Sequence, residues 1–146
     1  MQRLSRDKYT IVLDPTLSPA ITIASGEELV VETWDAYKGV WRADQEPPEV
    51  GAATGPIAVE GAGPGDALRI DMLAITPGPA AMHDVRPGRG FLGETFTERR
   101  PTVMPIRDGH LMFPDGIRIP LRPSLGLIAT TPTVRQITAS DSGPYG

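Results

Sequence analysis

A mostly β fold with little helix is predicted by three features of the sequence. Short apolar runs rich in β-branched residues recur at 11–13, 21–23, 29–31, 68–70 and 125–129. Gly and Pro, 16 of each in 146 residues, bound those runs and punctuate the chain as turns. Residues 28–33 alternate Glu28, Val30 and Glu32 against Leu29, Val31 and Thr33, the period of a strand with one face in the core and one in water.

In chain order, 9–13 reads as a first strand, 14–19 as a turn and 20–24 as a second strand. It ends at Ser25-Gly26-Glu27-Glu28, where Gly26 permits a tight turn. Residues 28–33 are the third strand. Residues 35–54 carry Pro47-Pro48 and several acids with no sustained period, which marks a long surface connection of the kind that serves a site. A strand at 55–60, a turn over Gly61-Ala62-Gly63-Pro64-Gly65-Asp66 and a strand at 67–75 read as a hairpin. The region 76–107 is broken by Pro and Gly, and within it only 90–100 has the composition for a short helix. Residues 110–113 and 117–119 flank Pro114-Asp115-Gly116 as a second hairpin. A buried strand is expected at 125–130 and a polar tail at 134–146. The length suits a single domain over 1–146.

A net charge of −4 gives no electrostatic ground for nucleic-acid binding. The one basic cluster, Arg86, Arg89, Arg99, Arg100 and Arg107, is interleaved with Glu94, Glu98 and Asp108, as a solvated or partner-facing surface would be. The absence of cysteine removes disulfides, thiolate nucleophiles and cysteine-ligated zinc. No stretch approaches the roughly 20 apolar residues that span a bilayer, and residues 1–7 lack the apolar segment of a secretory signal, so a cytoplasmic location is expected.

The catalytic inventory is short. His83 and His110 stand in unlike contexts with no HExxH spacing, and no GxSxG elbow is present. Gly88-Arg89-Gly90-Phe91-Leu92-Gly93 spells GxGxxG without a convincing strand before it. What remains are carboxylates where strands give way to turns: Asp35, Glu60 and Asp66. A rigid strand end can present such a group to a metal or an attacking water. Spacing alone favours the plainer reading, in which Asp66 bonds its own turn and Glu60 is a solvated strand end.

The segment Thr54-Gly55-Pro56-Ile57-Ala58-Val59-Glu60-Gly61-Ala62-Gly63-Pro64-Gly65-Asp66-Ala67-Leu68 resembles the TGP-x-x-VEGA-x-PGD-x-L signature of the acetamidase/formamidase family. Upstream, Glu32-Thr33-Trp34-Asp35-Ala36 is similar to that family's E-T-x-D-A strand end. Downstream, residues 113–126 are similar to its F-x-DG-I-R-IPLRP-F-LG stretch. The resemblance implies a β-sandwich or barrel-like half of a hydrolase that cleaves short aliphatic amides to ammonia and a carboxylate. It further implies a divalent metal, zinc being the candidate, since such an ion activates water and polarises a carbonyl. Carried onto this sequence, it makes Asp35 a metal ligand or ligand-orienting group and Glu60 a general base or a residue that supports the groups touching the metal. Thr54, Gly55, Pro56 and Gly61 would then line the substrate site. Arg118 and Arg122 are read as structural.

Two departures from the family pattern stand out. Arg86 and Arg89 occupy positions where the family is apolar, which points to an anionic substrate or a partner grip. The GDGE-type and G-G-N-x-D segments of the family's second half are absent, and Asp141-Ser142-Gly143-Pro144-Tyr145-Gly146 aligns just before the latter. The expectation is therefore an N-terminal half that is active only with a second polypeptide resembling the C-terminal half, in a higher hetero-oligomer. The rival expectations are a non-catalytic structural or regulatory subunit and a stand-alone module that binds a small ligand.

Overall fold

The computed structural model describes residues 1–42, 44–45, 51–133 and 137–139. Their regular structure is twelve short strands and one 3-10 turn, so the mostly β expectation holds. They divide into two compact units. The first contains Met1–Gly39 with the described residues between 47 and 70 and those after 124. The second contains the described residues between 40 and 46 together with Asp71–Ser124.

The first unit is made of four strand pairs. β1 (Gln2–Leu4) runs parallel to β5 (Leu29–Val31), and β2 (Tyr9–Thr10) antiparallel to β6 (Ala53–Thr54). β3 (Val12–Leu13) runs antiparallel to β12 (Ile137–Thr138), and β4 (Ile21–Ile23) parallel to β7 (Ile57–Val59). The strand expected over 9–13 is broken at Ile11 for a local reason. The Thr10 hydroxyl accepts the Val12 N–H at 3.1 Å and donates to the Val12 carbonyl at 2.8 Å, a side-chain turn that replaces ladder bonds. β2 and β3 consequently take different partners.

The second unit holds a four-stranded antiparallel sheet in the order β11-β10-β9-β8. Its strands are β8 (Ala80–Val85), β9 (Arg100–Arg107), β10 (His110–Met112) and β11 (Arg118–Pro120). The hairpin read around Pro114-Asp115-Gly116 is present as β10 and β11. β8 and β9 were not expected, since Pro101 and Pro105 argue against a paired strand. Register explains their tolerance. The Ile106 N–H donates to Pro79 O on the β8 side, so the alternate residues Pro105, Val103 and Pro101 turn their nitrogens away from β8. On β9, β10 pairs with Ile106 and Arg107 alone, and no other described strand lies along that edge where the prolines are.

Four further expectations are corrected. The hairpin between 55–60 and 67–75 does not form, because β7 pairs with β4 and 67–75 joins no ladder among the described residues. The buried strand at 125–130 is absent too, and Leu125 and Ile128 are exposed. In the 90–100 region only Gly93–Thr95 turns, as a 3-10 segment. The alternation of 28–33 is also incomplete, since Leu29 and Val30 are half-buried while Val31 is exposed. The tail read over 134–146, apart from 137–139, and residues 43 and 46–50 of the long connection lie outside the described residues.

The buried apolar side chains among the described residues are Leu4, Leu13, Met104, Pro132 and Ala139. That is a small core for the area of chain present, and many large apolar residues lie in water instead.

Candidate active site

The signature segment folds as β6, a kink at Gly55-Pro56, and β7. Thr54 stands opposite Tyr9 in the β2–β6 ladder, and the Gly55 N–H donates to Lys8 O at 2.9 Å. Gly55 is buried with φ 143°, and a Cβ there would lie 3.3 Å from the Ile57 nitrogen. Both facts require glycine. Gly55→Ala is expected to lower stability by about 1–3 kcal/mol, the cost of forcing a side chain into that backbone region. A urea-unfolding midpoint measures the loss.

Asp35 lies just past β5, and its carboxylate builds a turn. One oxygen accepts the Tyr37 N–H at 2.8 Å and the other the Gly39 N–H at 2.9 Å, while its carbonyl accepts the Lys38 N–H at 3.0 Å. The approach to that turn is fixed against neighbouring chain. The Thr54 hydroxyl donates to Glu32 O at 2.7 Å, and the Trp34 indole N–H to Arg6 O at 2.9 Å. The Arg6 guanidinium stacks 4.0 Å from the Trp34 ring centroid. From the same turn, Lys38 Nζ donates to the Tyr9 hydroxyl and lies over its ring. Tyr9, the ladder partner of Thr54, is thereby tied to the Asp35 turn. Sequence reasoning missed Tyr9 and Lys38. The D-A-Y-K-G string carries the turn signal, but the meeting of Lys38 with Tyr9 is non-local.

Beside this junction lies a cleft of about 350 Å³ lined by Asp7, Lys8, Tyr9, Thr10, Leu17, Ser18, Ala20, Gly55 and Pro56. Of the expected substrate-site residues it includes Gly55 and Pro56, but not Thr54 or Gly61. Glu60 continues the β4–β7 ladder through its N–H to Ile23 O at 2.8 Å, and its side chain is exposed. Gly61 follows it in the turn, where the Asp66 carboxylate accepts the Gly63 N–H at 2.8 Å. Asp66 therefore bonds its own turn, as its spacing suggested.

No group of three His, Asp or Glu side chains that could hold a metal occurs among the described residues. Asp35 already accepts an N–H on each oxygen. The described residues do not by themselves compose a zinc centre.

Arg86 and Arg89 part company. Arg86 Nε donates to Asp84 at 2.6 Å, and Arg99 Nε reaches the same carboxylate at 3.0 Å. Asp84 is 4% exposed and Arg99 10%, and Arg99 also donates to the carbonyl of Gln45 at 2.8 Å. Arg86 thus binds a carboxylate of its own chain, whereas Arg89 is exposed. The GxGxxG string does follow a strand, β8, but closes on itself, with the Gly88 N–H donating to Gly93 O at 2.9 Å. Only a three-residue 3-10 turn follows, so no helix N-terminus is offered to a phosphate. His83 is exposed, and His110 Nδ1 lies 2.7 Å from the carbonyl of Asp108. Among the described residues no helix is long and apolar enough to cross a membrane.

The model of the Acetamidase/Formamidase family matches residues 8–141. No curated protein matches the chain. Among solved structures, it is similar to an acetamidase of Bacillus halodurans, with a TM-score of 0.92 and 32% identity, covering 99% of this chain and 51% of that one. It is also similar to a predicted acetamidase/formamidase of Thermoanaerobacter tengcongensis, with a TM-score of 0.88 and 31% identity, covering 94% of this chain and 48% of that one. The chain spans about half the length of these solved relatives. On sequence and on structure, this chain belongs to the acetamidase/formamidase family.

Proposed function

We propose that the chain is one part of an amidohydrolase that cleaves a short linear amide to ammonia and a carboxylate, in assembly with a second polypeptide resembling the rest of the family fold. The observation that carries this reading is the family match over 8–141, with its signature segment folded beside the Gly55-Pro56 cleft. Glu60 is the general base: it takes a proton from water as the oxygen adds to the amide carbon, and returns it to nitrogen as the C–N bond breaks. The Asp35 turn and the Tyr9–Lys38 contact hold the chain beside Thr54. Zinc, the ion the family resemblance implied, would take its ligands mainly from outside the described residues.

The test is ammonia release from formamide and acetamide. The chain is assayed alone and then co-expressed with the half of the Bacillus halodurans acetamidase that it does not match. Release only from the pair supports the reading, and silence from the pair on both amides overturns it. A second reading, a structural subunit whose partner carries every catalytic group, is favoured by one observation: both oxygens of Asp35 are engaged in its own turn.

A further inference from the structure

We infer that Phe91 and Leu92, at the tip of the loop that follows β8, form a docking knob received by an apolar pocket on the half of the family fold that this chain does not contain. The inference rests on the assembly proposed above and deepens it by naming one of its contacts.

The loop is built to hold its tip in place. The Gly88 N–H donates to Gly93 O at 2.9 Å, the Gly93 N–H to Gly90 O at 3.3 Å and the Thr95 N–H to Leu92 O at 2.9 Å. Gly93 is buried, and a Cβ there would stand 2.8 Å from the Gly88 carbonyl carbon, so the ends of the loop meet too closely for any other residue. Main-chain bonds close the ring, yet Phe91 is fully exposed and Leu92 59% exposed. Apolar residues scattered singly on a surface are ordinary. A whole phenylalanine beside a leucine, carried on a loop closed by its own bonds, is a different case: aromatic side chains concentrate at the centres of protein interfaces. A tip fixed before the partner arrives also loses little conformational freedom on binding. The loop lies wholly among the described residues and within the second unit.

The occupant follows from the relatives. The match to the Bacillus halodurans acetamidase covers 99% of this chain, too nearly all of it to omit a six-residue loop, and only 51% of that protein. The loop therefore belongs to the shared fold, which in that protein is joined to about as much chain again. That remainder is a tethered surface on which an apolar knob can be buried. The rival occupant is a second copy of this chain, and the experiment separates the two.

The experiment is hydroxyl-radical footprinting of the full chain, alone and fused through a flexible Gly-Ser linker to the unmatched half of the Bacillus halodurans acetamidase. The linker holds the halves at roughly millimolar effective concentration, so affinity does not limit the result. Oxidation of Phe91 is expected to fall about tenfold in the fusion, as for an anchor from which water is excluded. Once the linker is cut, Phe91→Ala should speed separation of the halves by about thirtyfold. The same substitution should leave the far-ultraviolet circular dichroism of the lone chain unchanged, since the side chain is fully exposed there. Oxidation of Phe91 at the lone-chain rate in the fusion overturns the inference, as does an unchanged rate of separation. Protection that is present in the lone chain and grows with its concentration puts a second copy on the knob and overturns it too. Ammonia release is read on the same fusion: release without protection of Phe91 overturns the docking contact alone, and protection without release overturns the amidase reading alone.

Discussion

Asp84→Asn lowers the stability of the chain by about 3 kcal/mol, read as a shift in the urea midpoint at neutral pH, because it breaks a buried ion pair from one side. The carboxylate is 4% exposed and accepts from Arg99 at 3.0 Å and from Arg86 at 2.6 Å. Its loss leaves two enclosed guanidinium groups facing an amide. Arg99 also donates to the carbonyls of Gln45 and Arg42, so the hold on those two residues weakens with it. The pH dependence carries a definite sign. Burial pushes the Asp84 carboxyl upward, but the hydrogen bonds and charges of Arg99 and Arg86 outweigh it and hold the group below its ordinary 3.8. A carboxyl depressed in the folded state stabilises fully above the unfolded value and loses that contribution as the pH falls through the folded one. The gap between wild type and variant is therefore complete above about pH 5 and narrows in acid. A gap independent of pH between neutrality and acid would refute the assignment of the stability to this carboxylate.

That cluster shows where sequence reasoning reached its limit. Arg86 and Arg99 were visible as basic residues interleaved with acids, yet their shared partner could not be seen, because Asp84 meets Arg99 only through the β8–β9 register. β8 has a single β-branched residue, Val85, after Ala, Ala, Met, His and Asp, which carry little strand signal, and β9 contains two prolines. Local features fared better. The β10–β11 hairpin was legible because its turn chemistry lies inside four residues, with the Gly116 N–H donating to Phe113 O and Gly116 at φ 85°. The signature segment was legible as a pattern, but its pairing with β2 and β4 was not. Residues 67–75 mark a third case, since their apolar residues read as a strand and yet they join no ladder among the described residues.

On the proposed amidohydrolase reading, with Glu60 as the base, Glu60→Gln is expected to lower kcat for amide hydrolysis in the assembly by about 10²–10⁴-fold, the usual contribution of a positioned general base. KM should change little, since the glutamine keeps the shape of the side chain and loses only its basicity. Stability separates this outcome from simple damage. Glu60 is exposed and its backbone N–H keeps the bond to Ile23 O in either variant, so the urea midpoint should stay within about 0.5 kcal/mol of wild type. Asp35→Asn behaves in the opposite manner. Asparagine can still accept one of the Tyr37 and Gly39 N–H bonds but presents a donor to the other, so roughly 1 kcal/mol of stability is lost together with the placement of the turn beside Tyr9. Activity and stability then fall together for Asp35, whereas for Glu60 activity falls alone. Equal turnover by the wild-type assembly and by both variants would instead make this chain a scaffold, with every reacting group on its partner.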